Sequence, residues 1–325
     1  MEPSLFAADL ASKPAHLMNL AAQLADTDPW KCLPDEIRRV VLVGMGSSAY
    51  AAGVAAARLQ ARGQEAVSVL ASSSLLPAVR EGDVVVAVSA GGGSRETLAA
   101  VEHYRDRAPL VLLTNKPESA LAASLPLVVD MHAGTEAGGV ACRSFQHTLV
   151  HLLALERHLL GLDRDLTELV RAAAAATLDL AGRAPEWLPQ VRRLLDGPQG
   201  MHVAAPAHRL SSAQQSALML REGPRRQAYA CETGDWSHVD VYLTRTTDYR
   251  LLLLSGARWE DEMMDWVRQR GSTVVAVGAE VPGAAYTLRY RGDTDDDVRL
   301  LTETLVAELL ASRLWLDQAC GLDQE

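Results

Sequence analysis

The sequence is short of lysine, cysteine and long apolar runs. Of its 31 basic residues only Lys13, Lys31 and Lys116 are lysines, so the chain beyond position 116 relies on arginine. The four cysteines lie far apart and form no CxxC pair. This excludes a clustered zinc site and a disulfide framework, and it is typical of reduced thiols in the cytoplasm. No stretch reaches the roughly 18 uncharged apolar residues of a membrane span, and the N-terminus lacks the apolar segment of a signal peptide.

Charge and length narrow the class of protein further. The formal net charge is −10, which argues against a general nucleic-acid binder because such proteins need a positive surface. With 325 residues, of which 48% are hydrophobic, the chain can form two domains with cores of their own. We therefore expect a cytoplasmic protein that binds neither nucleic acid nor a membrane.

Short β-branched runs alternate with helical patterns along the chain. Residues 39–43 and 83–88 are continuous apolar runs, as expected for strands covered by helices on both faces. Strands that alternate with helices indicate a parallel, doubly wound sheet. The plan repeats after about 160 residues, which indicates a duplicated unit. The predicted fold class is therefore α/β, with a helical segment over 1–30 and two such domains over 31–163 and 164–325.

Three helices of this plan bear on later points. One is predicted over 72–80 and another over 298–320, as the last helix of the chain. The third, Arg143–Leu160, carries His147, His151 and His158 on one face. This spacing also fits metal ligands, but we interpret these residues as ordinary histidines on a helix surface. No metal or other cofactor is expected.

Two predicted strands of the first half end in loops of glycine and serine. Such loops let a backbone approach an anion, and the following helix offers free N–H groups. In an open α/β sheet, ligands bind beyond the carboxyl ends of the strands. The two loops together therefore predict a phosphate site, although each alone could be a tight turn with a serine cap. The candidate residues are Gly46, Ser47, Ser48, Ser89, Ala90, Gly91, Gly92 and Ser94.

A dinucleotide site is the main alternative for the first loop, because Gly44-Met45-Gly46 opens a strand-to-helix turn. The third glycine of that signature is replaced by Ala49, and the next strand ends without an acidic residue to bind a ribose. An NAD-dependent reductase is therefore disfavoured. A P-loop is excluded because Gly-Lys-Ser/Thr does not occur.

Glu222 and His238 are the candidate proton-transfer residues of the second half. Glu222 ends a predicted helix just before Gly223-Pro224. A carboxylate there faces the negative end of the helix dipole, which raises its pKa and suits a general base. His238 lies in a Gly/Asp/Ser loop and can transfer protons near neutral pH. From these features alone, a solvated surface glutamate and an exposed loop histidine remain alternatives.

Several motifs resemble those of the SIS (sugar isomerase) family. Residues 89–97 (SAGGGSRET) align without a gap with the family's S-Q-S-G-E-T-x-D-T loop, and residues 134–138 (GTEAG) match its G-T-E-x-G segment. The sixteen-residue spacing from Glu222 to His238 matches the family's K-E…K-H pattern. The resemblance extends over nearly the whole chain, from Leu10 to Asp323. It covers in particular the group with two SIS domains, which includes the isomerase part of glucosamine-6-phosphate synthase and the fructosamine-6-phosphate deglycases.

The resemblance implies a fold, a ligand and roles for these residues. It implies two flavodoxin-like SIS domains in tandem and a sugar phosphate bound by the serine loops. It also implies Glu222 as enolisation base and His238 as acid for ring opening or the leaving group. In relatives this histidine comes from the neighbouring subunit, which implies a homodimer with shared active sites. The chain departs from the family pattern at Gly91, where a second serine is usual, and in Asp235-Trp236-Ser237, where Glu-x-Lys is usual.

The sequence leaves two kinds of function open. We expect no glutamine-dependent amidotransferase, because neither a glutaminase domain nor a lysine beyond Lys116 is found. The Glu/His pair then predicts an isomerase of 6-phosphosugars, or a deglycase or deaminase of amino-sugar phosphates. The alternative is a non-catalytic sensor of sugar phosphates. The sequence identifies neither the sugar nor which of the two reactions occurs.

Overall fold

The computed structural model describes residues 1–322. Asp323, Gln324 and Glu325, which the sequence analysis places at the end of the second domain, lie outside the described residues. Within the described part no helix is both long enough and apolar enough to cross a membrane.

The first half of the chain alternates strands and helices as predicted. Its elements are α1 (Pro3–Ala11), α2 (Lys13–Leu24), β1 (Arg39–Gly44), α3 (Ser47–Ala61), β2 (Glu65–Leu70), β3 (Asp83–Val88), α4 (Arg95–Tyr104), β4 (Leu110–Thr114), α5 (Ala120–Ala123), β5 (Leu127–Asp130) and α6 (Arg143–Leu160).

The second half repeats the alternation. Its elements are α7 (Leu166–Gly182), α8 (Ala184–Leu195), β6 (Met201–Ala205), α9 (Leu210–Glu222), β7 (Ala228–Glu232), α10 (Thr233–Trp236), β8 (Arg250–Leu254), α11 (Glu260–Arg270), β9 (Thr273–Val277), β10 (Tyr286–Leu288), α12 (Asp296–Thr302) and α13 (Thr304–Ala319), with short 3-10 helices at Ala207–Arg209 and Asp240–Arg245.

Each half forms one five-stranded, fully parallel sheet. The first sheet has the order β2-β1-β3-β4-β5 and the second β10-β9-β8-β6-β7. Counted within each half, both orders are 2-1-3-4-5, the flavodoxin-like order. Every residue of β1, β3 and β4 is buried, because helices cover both faces of a parallel sheet. The predicted α/β fold class with two doubly wound sheets is confirmed.

Two of the predicted helices differ from the structure. Residues 72–80 form no helix. Pro77 lacks an N–H donor and disfavours helical backbone at the residue before it, and Ser73 Oγ instead accepts a hydrogen bond from Leu75 N at 3.0 Å. The helix predicted over 298–320 is two helices, α12 and α13, which meet at Glu303. Val306 N donates to Glu303 O (3.2 Å), a three-residue bond that tightens the chain there into a turn.

The sequence analysis also missed β7 and β10, the two edge strands of the second sheet. An edge strand is covered on fewer sides than a central one, so it needs no continuous apolar run. Only the first residue of β7 and the last of β10 are buried. Their sequences therefore lack the pattern that identifies the central strands.

The chain divides into two compact units, which we name after their sheets. The β1–β5 unit contains His16–Thr135 and Arg143–Val170. The β6–β10 unit contains Met1–Ala15, Glu136–Cys142 and the chain from Arg171 onward. The division at 30 and 163 that the sequence predicts stays a prediction.

One of the three lysines joins the first and last helical parts of the β6–β10 unit. Lys13 Nζ, in the first turn of α2, lies 2.5 Å from Glu308 Oε2 of α13, and neither side chain is exposed to solvent. Nearby, Phe6 of α1 packs against Trp315 of α13 with ring centroids 6.0 Å apart. Separating a buried ion pair leaves an uncompensated charge in the core, which is costly in free energy. The ion pair therefore fixes the N-terminal segment on α13.

His147 and His151 of α6 lie in the core of the β1–β5 unit, so the interpretation as surface histidines is wrong for these two. They are 0% and 1% exposed, respectively, because α6 is buried from Arg143 to Glu156. His147 Nδ1 lies 2.8 Å from Met131 O. Burial lowers the pKa of His147 to about 3 and that of His151 to about 4. His158, further along α6, is paired with Asp28 at 2.6 Å instead.

We expect the low pKa of His151 to make the protein sensitive to acid. In the unfolded chain a histidine has a pKa near 6.5, so below that pH the unfolded state binds a proton that the folded state does not. The free energy of unfolding should fall as the pH drops from about 6.5 towards 4, by about 3 kcal/mol for this group. His151→Gln should remove this part of the fall, as measured by urea unfolding between pH 7.5 and 4. Its value at pH 7.5 serves as the control for lost packing, and an unchanged pH dependence would contradict the prediction.

Candidate active site

The β1–β5 unit places both glycine–serine loops at one edge of its sheet. β1 and β3 are parallel neighbours, so the loops that follow Gly44 and Val88 leave the sheet side by side. The strand order reverses direction between β1 and β3, and this is where open α/β sheets bind ligands. The structure therefore brings the eight predicted phosphate-binding residues to the same edge.

The first loop turns directly into a helix. Gly46 has φ +51°, in the region that favours glycine, and α3 begins at Ser47 without a side chain that caps it. Gly44 packs closely against the start of α3, since a Cβ there would lie 3.0 Å from Ser48 Cβ. The Ser47 and Ser48 hydroxyls form no hydrogen bond with any residue of the described chain. Ser48 N donates to Met45 O (3.1 Å), whereas the N–H groups of Ser47 and Ala49 donate to no described residue. These two N–H groups and both hydroxyls are thus available to an anion.

The second loop combines unused donors with a helix cap. Ser89 N continues the sheet by donating to Leu113 O (2.9 Å), while its buried hydroxyl makes no hydrogen bond within residues 1–322. Gly92 has φ +62°, and a Cβ there would lie 2.7 Å from Ser119 Oγ. The backbone N–H groups of Ala90 and Gly91 donate to no described residue.

Ser94 differs from the other serines of the two loops. Its Oγ caps α4 by accepting from Thr97 N (3.2 Å) and donates to Thr97 Oγ1 (2.8 Å). This is the structural role that the sequence analysis kept open for a loop serine. A phosphate contact of Ser94 stays a prediction.

Glu222 is the last residue of α9, as the sequence predicts. It is half-buried. Burial raises the pKa of its carboxyl, the positive charge of Arg225 lowers it in part, and the negative charge of Glu136 raises it further. A carboxylate with a raised pKa is a better proton acceptor, as a general base requires.

The segment 136–142 explains why Glu136 lies near Glu222. Gly138 is seated on α1, where a Cβ would lie 2.5 Å from Phe6 Cα, and its N–H donates to Asp9 Oδ2 (2.7 Å). On the other side, Gln215 Nε2 of α9 donates to Ala141 O (2.8 Å). Glu222 follows Gln215 by seven residues, two helical turns along the same face.

Glu136 is a residue of this site that the sequence analysis did not assign. Its Oε1 accepts a hydrogen bond from Cys142 N at 2.7 Å, which fixes the carboxylate within its own segment. In the sequence, Glu136 stands out only as part of the Gly-Thr-Glu motif of the resemblance, which assigns it no role. The spacing of 86 residues between Glu136 and Glu222 gave no sign that the two are neighbours.

His238 lies in the turn between α10 and the 3-10 helix that begins at Asp240. Its side chain is exposed and forms no hydrogen bond or ion pair with any residue between 1 and 322. No such bond joins it to Glu222. The chain therefore presents the two predicted catalytic residues in one unit but does not pair them through a direct polar contact.

The corresponding edge of the second sheet is filled by arginine. The guanidinium of Arg209, which is fully buried, pairs with Glu303 and donates to Ser255 O at the end of β8. Arg299 donates to Gly278 O (2.6 Å), after β9. His208 lies 3.5 Å from Asp296 at this edge. These contacts occupy the strand ends that in the first sheet carry unused donors.

Among residues 1–322 no three His, Cys, Asp or Glu side chains are arranged to hold a metal ion. The histidines of α6 accordingly form no metal centre in the described chain.

The chain resembles known proteins in both sequence and fold. Residues 35–156 match the family model described as SIS domain. A glutamine–fructose-6-phosphate aminotransferase [isomerizing] from Zymomonas mobilis is 27% identical over 280 residues, which are 82% of this chain and 46% of that protein. The chain thus spans about half the length of the curated relatives it matches first.

Two solved structures share the fold across both halves. The C-terminal domain of glucosamine-fructose-6-phosphate aminotransferase from Francisella tularensis has a TM-score of 0.82 at 16% identity and covers 96% of this chain and 95% of that one. Glucosamine-6-phosphate deaminase from Thermotoga maritima has a TM-score of 0.74 at 16% identity and covers 97% and 95%.

The fold defines a doubly wound α/β protein, and the loops at the edge of its first sheet carry unused hydrogen-bond donors. Within that class, residues 35–156 match the SIS domain family model. The resemblance that the sequence motifs indicated is confirmed.

We expect Glu136→Gln to lower the pKa of Glu222. The substitution removes the negative charge that raises this pKa, while the amide oxygen can still accept from Cys142 N. In ¹³C NMR of glutamate-labelled protein, the carboxyl signal of Glu222 should titrate at lower pH than in wild type. Glu186→Gln, an exposed change on α8, is the matched control. An unchanged titration of Glu222 in Glu136→Gln would show that Glu136 does not act on it.

Proposed function

We propose that this protein binds a phosphosugar through the loops of the first sheet. The phosphate would be bound by backbone N–H groups and hydroxyls rather than by a cation, with two helix N-termini supplying positive potential. The unused donors around Ser47, Ser48 and Ser89 support this proposal. The residues assigned to this role are those predicted from the sequence: Gly46, Ser47, Ser48, Ser89, Ala90, Gly91, Gly92 and Ser94.

We further propose that the protein is an enzyme in which Glu222 moves a proton of the bound sugar. The raised pKa of Glu222 at the half-buried end of α9 is the observation that carries this assignment. Glu222 would remove a proton from C1 or C2 and form an enediol or enaminol. Since the carboxyl then holds the proton, it can return it to the adjacent carbon.

His238 would act as the acid that opens the sugar ring. In an isomerase, it protonates the ring oxygen, and the proton returned by Glu222 converts ketose into aldose or the reverse. In a deglycase or deaminase, it protonates the departing nitrogen, which leaves as an amine or ammonia while water supplies the oxygen of the carbonyl product. The similar proteins include both an isomerizing aminotransferase and a deaminase, which supports both reactions for this chain.

Proton NMR in D₂O distinguishes the proposed enzyme from a non-catalytic sensor of sugar phosphates. The ligands are the 6-phosphates of fructose, glucose and glucosamine and of a glycated amino acid. Wild type should exchange the C1 or C2 proton, and Glu222→Gln should reduce this rate by a factor of about 10² to 10⁴ while still binding the sugar. Glu186→Gln should behave as wild type.

The products distinguish an isomerase from a deglycase or deaminase. Ligand-induced line broadening without exchange in wild type would contradict the enzyme and support a non-catalytic sensor of sugar phosphates. Full exchange activity in Glu222→Gln would contradict the assignment of the base.

We also propose that the protein acts as a homodimer in which His238 serves the partner's site. Three exposed apolar side chains follow this histidine closely along the chain, Val239, Tyr242 and Leu243. Apolar side chains exposed together on a surface are typical of a protein interface. It would also explain why His238 has no polar contact with Glu222 of its own chain.

Mixing two inactive variants tests this arrangement. If each site takes Glu222 from one chain and His238 from the other, a mixture of Glu222→Gln and His238→Gln should regain activity as mixed dimers form. In a mixed dimer, one site would carry both substitutions and the other neither. Each variant mixed with itself is the control. No recovery, in a mixture shown by mass spectrometry to contain mixed dimers, would contradict the shared site.

A further inference from the structure

His238 is placed by its backbone and not by contacts of its own side chain. Its N–H donates to Asp235 O at 2.9 Å, and Val239 N donates to the same oxygen at 3.2 Å. An exposed imidazole on such a turn can act on a sugar only where the turn holds it. The residues that fix this turn therefore determine where the proton donor lies.

Trp236 fixes the turn two residues before His238. Its side chain is fully buried, and its Nε1 donates to Tyr249 Oη at 2.8 Å. The two rings also pack edge to face, with centroids 6.1 Å apart at 72°. Tryptophan stands here at the variable position of the family's Glu-x-Lys pattern, so the contact is a property of this chain.

Asp240 fixes the turn two residues after His238, and its carboxylate faces the same tyrosine. Burial raises the pKa of Asp240, but its polar contacts with His202, Cys231 and Tyr249 outweigh this effect and hold that pKa below its usual range. His202 Nδ1 lies 3.5 Å from Asp240 Oδ2.

The chemistry of the donors and acceptors around Tyr249 fixes the direction of its hydrogen bonds. The indole N–H of Trp236 can only donate, and the Tyr249 oxygen accepts it, so the Tyr249 proton remains available on the side of the Asp240 charge. Burial and the charge of Asp240 raise the pKa of Tyr249, so the phenol keeps this proton at physiological pH.

Tyr249 is a rigid anchor because it precedes β8, a central strand of the second sheet. Its backbone oxygen accepts a hydrogen bond from the N–H of Thr273, the first residue of β9, at 3.0 Å. The ring of His202, from β6, stacks on the Tyr249 ring with centroids 4.1 Å apart at 22°. Trp236, before His238, thus donates to the Tyr249 hydroxyl. Asp240, after His238, lies beside His202, which stacks on the same tyrosine.

We propose that Trp236, Tyr249 and Asp240 are positioning residues that hold His238 in place for proton transfer. This inference rests on the proposed function of His238. It adds residues to which the motifs of the resemblance assign no role.

A double-mutant cycle tests the coupling to His238. Trp236→Phe keeps an apolar ring and removes the N–H donor, and Tyr249→Phe removes the hydroxyl. Each should lower kcat by about tenfold to a hundredfold, as expected for a displaced catalytic group, with little change in KM. In a His238→Gln background, neither should reduce the residual rate further, because a displaced His238 is already absent.

The matched control is Trp187→Phe, which removes a buried indole N–H that donates to Leu180 O at 3.0 Å in the same unit. It should leave kcat unchanged. An equal loss of rate from Trp236→Phe with and without His238 would assign Trp236 to general stability and overturn the proposal.

A second measurement does not depend on turnover. In ¹³C-histidine NMR, with the signal of His238 assigned by His238→Gln, Trp236→Phe and Tyr249→Phe should broaden or split that signal, and Trp187→Phe should not. If wild type turns over no phosphosugar, the proposed function fails while this measurement still decides the positioning. A sharp, unshifted His238 signal in both variants would overturn the proposal by itself.

Discussion

Parallel strand pairing is the constraint on which the remaining structure depends. A parallel neighbour requires a crossover, and each crossover returns the chain over a face of the sheet, so all strands of a sheet end at one edge. In the first sheet this requirement brings the loops after β1 and β3 together, although about 40 residues separate them along the chain. The serine donors are therefore clustered by topology before any ligand binds.

The same constraint acts in the second sheet, with a different chemical result. There Arg209 pairs with Glu303 and donates to the carbonyl of Ser255 just after β8, so contacts within the chain occupy the ends of β6 and β8. Moving Arg209 away from this edge would leave the buried carboxylate of Glu303 unpaired, which is costly in free energy. The two sheets thus differ at this edge: the first carries unused hydrogen-bond donors, and the second is closed by structural contacts. The residues proposed for proton transfer, Glu222 and His238, lie elsewhere in this unit, at the end of α9 and beyond β7.

The features that the sequence predicts are those encoded over short distances. Continuous apolar runs identify β1 and β3, and Gly223-Pro224 fixes the end of α9 at Glu222, because these signals act on neighbouring residues. The edge strands β7 and β10 were not predicted, because a partly exposed strand needs no continuous apolar run. Glu136, and the contact of Trp236 with Tyr249, escaped because they depend on packing between distant segments. His147 and His151 were misinterpreted because the spacing of residues on a helix does not reveal how many of its faces are covered.

The Lys13–Glu308 ion pair has a consequence for how the protein is made. The two residues are separated by 295 positions, so at about 5–20 residues per second a ribosome needs roughly 15–60 s to synthesise the chain between them. During that time α1 has left the exit tunnel while α13, the helix that buries it, does not yet exist. The apolar face around Phe6 is then exposed on the nascent chain, where a chaperone can bind it. The β6–β10 unit, which carries Glu222, can therefore complete its core only after α13 has left the ribosome.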